Sequence, residues 1–136
     1  MINLHYKTNF ILEERAKTKD WIKKVIRLEG KCVGEINYIF CDDNYLLDHN
    51  IKYLNHNTLT DIISFNYSDK DIVSSDIMIS IERVQENSVI FENPFKKELR
   101  RVMIHGILHL IGYDDKTKKD KKEMTDKEDF YLSMYS

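Results

Sequence analysis

Apolar side chains recur along this chain with two different periods, and the switch from one to the other marks its elements. Ile2 to Tyr6 alternates apolar and polar residues, as a half-buried strand does. Across residues 11–28 the apolar positions Ile11, Leu12, Ala16, Ile22, Val25 and Ile26 gather broadly on one helical face, and Gly30 follows as a stop. Residues 33–41 return to strand formers, and Asp42 offers an N-cap for a helix through about residue 54. Two short strand-like runs follow, 60–65 and 75–80, joined by a Ser- and Asp-rich stretch that suits a hairpin. Ser80 can cap a short helix to about residue 90. Asn93 as N-cap, Pro94 at the first helical position and Gly112 as a left-handed stop then predict one helix over residues 94–111. A last helix is expected over about 118–134, docked through Met124, Phe130, Tyr131 and Met134.

This order implies an α+β fold, a mixed sheet of about four strands covered by about five helices. With 136 residues, 42% of them hydrophobic, the chain is expected to form one soluble domain over residues 1–136 without needing disulfides. Cys32 and Cys41 have neither metal-ligand nor disulfide-framework spacing and read as free, partly buried thiols. No signal peptide or membrane-length apolar run is present, so a cytoplasmic location is expected. A net charge of -2 excludes a surface coated in positive charge, and any nucleic-acid contact must be local.

Candidate chemistry lies at the end of the 94–111 helix. His105 and His109 are one turn apart on one face, a separation suited to a single metal ion. A histidine pair at this spacing is more often a surface or capped pair. Here the helix is apolar nearly all round from Ile104 to Ile111, which makes two unpartnered imidazoles costly to bury. If Gly112 reverses the chain, Asp115 returns past the helix end and supplies a third ligand. Two imidazoles and a carboxylate suit zinc and leave a fourth position for water, the arrangement of a hydrolytic site; Asp115 leaves other divalent metals open. No separate general base is assigned. Arg101, one turn before His105, is either a phosphate contact or the partner of a carboxylate such as Glu98. Lys116, Lys118 and Lys119, with Lys121 and Lys122, form a basic run that is either a solvated face or a hold on a phosphate backbone. His49 and His56 read as surface or capping groups.

The segment His105-Gly106-Ile107-Leu108-His109-Leu110-Ile111-Gly112-Tyr113-Asp114-Asp115 closely resembles the H-G-x-L-H-L-x-G-Y-D-H signature of the YbeY endoribonucleases, bacterial ribosomal RNA maturation factors. Every fixed position matches except the last, where Asp115 stands in place of the third histidine ligand. An anion there should make the ion a weaker Lewis acid. Thr60-Asp61-Ile62-Ile63-Ser64-Phe65 is similar to the family's T-D-V-L-S-F, and Ser75-Asp76-Ile77-Met78-Ile79-Ser80 to its G-D-I-V-I-S. Alternation explains most of these residues as sheet strands, while Asp76 is a candidate for orienting a loop or a ligand. The resemblance spans roughly residues 33–132. It implies a zincin-like architecture and a metal-dependent endoribonuclease acting on single-stranded RNA, in maturation and quality control of small-subunit ribosomal RNA. Two departures bear on catalysis: the segment His56-Asn57-Thr58-Leu59 lacks the arginine the family usually carries there, and Asn66 replaces a proline.

Two other readings compete. The spacing H-x-x-x-H-x-x-G-x-x-D also resembles that of metzincin-type metalloproteases, but these place a glutamate base where this chain has Gly106. The third reading is a ribosome-associated binding module whose metal is mainly structural.

Overall fold

The computed structural model describes residues 1–54 and 60–135. In chain order its elements are β1 (Ile2–Tyr6), α1 (Arg15–Leu28), β2 (Cys32–Cys41), α2 (Asp43–Leu54), β3 (Ile62–Asn66), β4 (Ile72–Ser80), α3 (Ile81–Ile90), α4 (Phe95–Ile111) and α5 (Lys118–Ser133). The strands form one mixed sheet in the order β1-β2-β4-β3, with β1 and β4 parallel to β2 and β3 antiparallel to β4. Among the described residues no helix is long and apolar enough to cross a membrane.

Because side chains alternate across a strand, the sheet has two unlike faces. One carries Ile36, Tyr38 and Phe40 of β2 and Ile77 and Ile79 of β4, which form the main core with residues of α1 and α4 that include Ile22, Ile26, Met103 and Ile107. Tyr38, fully buried, donates its hydroxyl to the Met103 carbonyl at 2.9 Å and so pins α4 to the middle of the sheet. At the far side of that core, Trp21 of α1 donates to the Tyr131 carbonyl of α5 at 2.8 Å. The opposite face is covered in part only, where Leu46 of α2 packs with Cys41, Ile63 and Met78.

Local signals decide most boundaries. The Asp42 carboxylate accepts from Tyr45 N–H at 2.8 Å, and Ser80 Oγ accepts from Arg83 N–H at 3.3 Å, so both act as the N-caps expected of them. Four expectations are corrected. Helix α1 begins at Arg15 rather than at 11, because Glu14 takes a left-handed conformation (φ 53°) and Leu12 is held by the Tyr6 hydroxyl at 3.3 Å. Strand β4 begins at Ile72, earlier than its polar residues suggested. Asn93 does not cap α4; Pro94 holds the N-cap position, and Asn93 Nδ2 donates to Glu98 at 3.4 Å. Phe130 points outward, 56% exposed, while Met124 and Tyr131 dock. The two thiols also differ: Cys32 is exposed and Cys41 buried. His49 hydrogen-bonds the Tyr45 carbonyl at 2.9 Å and stacks on the Tyr45 ring. His56 and the rest of the 55–59 segment lie outside the described residues.

Candidate metal centre

Helix α4 is the frame of the site. Leu99, Val102, Met103, Ile104, Ile107 and Leu108 are buried, which fixes its rotation and turns the other side toward α5 and the start of β3. Gly106 makes this close: a Cβ built there would lie 2.9 Å from Ile62 Cδ1 and 3.5 Å from Ile77 Cγ2. Even the Cβ of a glutamate at this position, the residue a metalloprotease needs, would press on Ile62.

The end of α4 closes as a Schellman turn. Tyr113 N–H bonds to the Leu108 carbonyl at 3.0 Å and Gly112 N–H to the His109 carbonyl at 3.2 Å, with Gly112 at φ 126°. The chain therefore turns back, and Asp115 comes to face the helix: its Oδ2 lies 3.6 Å from His105 Nε2.

Each imidazole has one nitrogen already committed. His105 Nδ1 lies 2.7 Å from Glu128 Oε2 on α5, and His109 Nδ1 lies 3.2 Å from the Tyr113 carbonyl. Both partners accept hydrogen bonds, so in the neutral rings Nδ1 carries the proton and Nε2 is left with a free lone pair. This is the arrangement seen when histidine binds a metal through Nε2. Donors bound about 2.0–2.2 Å from one tetrahedral ion lie roughly 3.3–3.6 Å apart, and the His105–Asp115 separation is in that range. His109 lines the same cavity, as do Thr60, Asp61 and Ser64. Among the described residues no three of these side chains already converge on one point. His105 and Asp115 are brought together, while exposed His109 stands apart from them. Two imidazoles and a carboxylate are a donor set that a divalent metal accepts, and His105 and Asp115 have the spacing for it.

The carboxylates around His105 also act on its charge. Hydrogen bonding to Glu128 raises the His105 pKa against the opposing effect of burial, and the charges of Glu128, Asp115 and Asp61 add to the rise. The charged form of the ring is thereby favoured. Burial pushes the Asp61 carboxyl above the ordinary carboxylate range despite the pull of His105, and burial likewise raises Glu98 over the opposing effects of Asn93 and Arg101.

Comparisons with known proteins place the chain in a family. The sequence profile of the family described as endoribonuclease YbeY matches residues 3–136. The chain belongs to the YbeY family. It is 53% identical over 135 residues to the endoribonuclease YbeY of Flavobacterium psychrophilum, covering 99% of this chain and 96% of the relative. The Flavobacterium johnsoniae protein of the same name is 50% identical, with 99% and 97% covered. Among solved structures, the solution structure of TM1509 from Thermotoga maritima superposes with a TM-score of 0.69 at 29% identity, covering 98% of this chain and 87% of that one. The α+β architecture is thus that of a YbeY-type fold.

Other residues of this YbeY chain that the sequence singled out lie outside the cavity lining. Arg101 pairs with Glu128 at 2.9 Å and Asp129 at 2.7 Å, both on α5, so it is a carboxylate's partner, and Glu98 is not the one it meets. Lys116, Lys118 and Lys119 are exposed, and none is among the residues lining the cavity. Asp76 is on the other face of the sheet from α4, where it accepts from Asn37 at 3.0 Å and, at 3.4 Å, from Tyr67 of the β3–β4 connection, so it meets a loop as expected rather than a candidate ligand. Asn66 accepts from Ser68 N–H at 2.9 Å and opens the β3–β4 turn. Glu128 was not anticipated. Its signal was present: Met124, Glu128 and Tyr131 are spaced as one buried helical stripe, and an acid on such a stripe needs a partner.

Proposed function

We propose that this protein is a metal-dependent endoribonuclease that cleaves single-stranded RNA during maturation and quality control of small-subunit ribosomal RNA, working in the cytoplasm with the small ribosomal subunit as its partner. Family membership supports the RNA chemistry, and the observation that carries the metal is the shared commitment of both Nδ1 atoms. Glu128 and the Tyr113 carbonyl occupy the Nδ1 atoms, which leaves Nε2 of each ring to face a ligand, and Asp115 lies 3.6 Å from Nε2 of His105.

His105, His109 and Asp115 would hold the ion, with zinc the first choice for this donor set. When bound, it supplies Lewis-acid stabilisation of phosphate charge and lowers the pKa of water. The chain's own residues do the rest. Glu128 keeps the proton on His105 Nδ1, and the Tyr113 carbonyl does so for His109. Gly106 holds the floor of the cavity against Ile62 and Ile77. Among the described residues Asp61 and Asp115 line this cavity without a lysine or arginine, while Arg101, held by Glu128 and Asp129, lines the adjoining pocket; two carboxylates here repel a phosphodiester unless a cation sits between. Burial makes the charged form of Asp61 costlier than that of an ordinary aspartate, against the pull of His105. Lys116, Lys118 and Lys119 are the nearest basic residues in sequence and would follow the RNA backbone outside the cavity.

The test is cleavage of single-stranded RNA by the purified protein with and without chelator, alongside His109→Ala. Loss of cleavage in both arms is expected, with recovery on adding zinc to the chelated parent. Equal cleavage by His109→Ala would refute the assignment. Casein hydrolysis sensitive to chelator would instead revive the protease reading, and sedimentation with small subunits without chelator-sensitive cleavage would favour a binding module.

A further inference from the structure

Glu29 stands at the end of α1, far along the chain from the ligands, yet its carboxylate is only 8% exposed. Tyr113 donates its hydroxyl to Glu29 Oε1 at 2.6 Å, Tyr131 donates to Oε2, and Lys127 reaches Oε2 at 3.2 Å. A buried carboxylate with one cation and two phenols is fully satisfied, and it holds two elements at once. Tyr131 and Lys127 belong to α5. Tyr113 belongs to the turn between His109 and Asp115.

Tyr113 is therefore gripped at both ends. Its hydroxyl is anchored on Glu29 and its N–H on the Leu108 carbonyl, while its own carbonyl is what holds His109 Nδ1 at 3.2 Å. We infer that Glu29 and Tyr113 are positioning residues for the metal centre: the Glu29–Tyr113 hydrogen bond fixes the 113–115 return, and with it the tautomer of His109 and the approach of Asp115. This rests on the metal reading above. Tyr131 shares the same carboxylate but touches no ligand, so it serves as a control for simple loss of packing.

Two measurements on the full chain separate the possibilities. The first is zinc affinity, read by competition with a chromogenic chelator. Tyr113→Phe is expected to weaken zinc about tenfold, as loss of a group orienting a ligand commonly does, while Tyr131→Phe stays within about twofold even if it melts earlier. Glu29→Leu should match Tyr113→Phe. The second is the ring nitrogen spectrum of His109 in the metal-free protein. The parent is expected to show one tautomer with the proton on Nδ1, and Tyr113→Phe a mixture. Unchanged zinc affinity in Tyr113→Phe, or equal losses in Tyr113→Phe and Tyr131→Phe, overturns the inference while leaving the metal site standing. A parent that takes up no zinc overturns the metal reading itself and this inference with it.

Discussion

The carboxylate of Glu128 receives the His105 ring on one oxygen and the Arg101 guanidinium on the other, so a single buried acid sets the imidazole's tautomer and is itself neutralised. Replacing it with glutamine keeps an acceptor for His105 but turns an amide toward Arg101, which then loses a charge partner and retains only Asp129. Glu128→Gln is expected to lose about tenfold in zinc affinity. Glu128→Ala should cost roughly 2–3 kcal/mol, below the range for a wholly buried pair because Asp129 remains; urea denaturation of both variants measures it. At Gly106 the geometry separates two substitutions. Alanine meets mainly the far end of Ile62, which can swing aside, and gains helix propensity, so a change within about 1 kcal/mol is expected. Valine brings further atoms against Ile77 and should cost about 2–3 kcal/mol by the same denaturation assay.

Helix and strand boundaries depend on neighbouring residues, and there the primary sequence was readable. The caps at Asp42 and Ser80, the stops at Gly30 and Gly112 and the alternation in β1 all act within a few residues of themselves. What escaped depends on distant partners. The first residues of β4 pair with Cys32 and Val33 across a register shift, and nothing in Ile72-Val73-Ser74 alone announces that. Gly34 sits in this shift, where a Cβ would lie 2.2 Å from Ser74 Oγ and 2.8 Å from the Val73 carbonyl. Gly34→Ala is expected to destabilise by about 2–3 kcal/mol, because a backbone atom cannot step aside. The Glu29 cluster between α1 and α5 was equally invisible, since its four members span about a hundred residues. Burial raises the Glu29 pKa, but hydrogen bonds from Tyr113, Tyr131 and Lys127 outweigh it and leave the value below the ordinary 4.5. A depressed carboxylate contributes stability above its unfolded pKa and loses it as pH falls through the folded one. The stability gap between the parent and Glu29→Gln should therefore be full near neutrality and shrink once the pH drops below about 4.5, which melting curves across that range would show.

The two faces of the sheet divide the molecule's work. All the candidate ligands lie with α4 on the face that carries the main core. The other face bears a row of polar side chains in register, Asn3 to Asn37 at 3.0 Å and Asn37 to Asp76 at 3.0 Å. The family-like motif around Asp76 made it a site candidate, whereas the alternation of β4 places it opposite Ile77 and so away from α4. Asp76→Asn is expected to leave RNA cleavage unchanged while loosening that row by about 1 kcal/mol, checked by parallel activity and melting measurements.

Helix α5 follows every other described element along the chain, yet it provides the carboxylate that orients His105 and the carbonyl that receives Trp21. Both histidines thus precede in the chain the residue that orients one of them, and α4 cannot prepare its own imidazole. A chain cut in the connection between α4 and α5 would retain the sequence of every strand while losing the partner of His105 Nδ1.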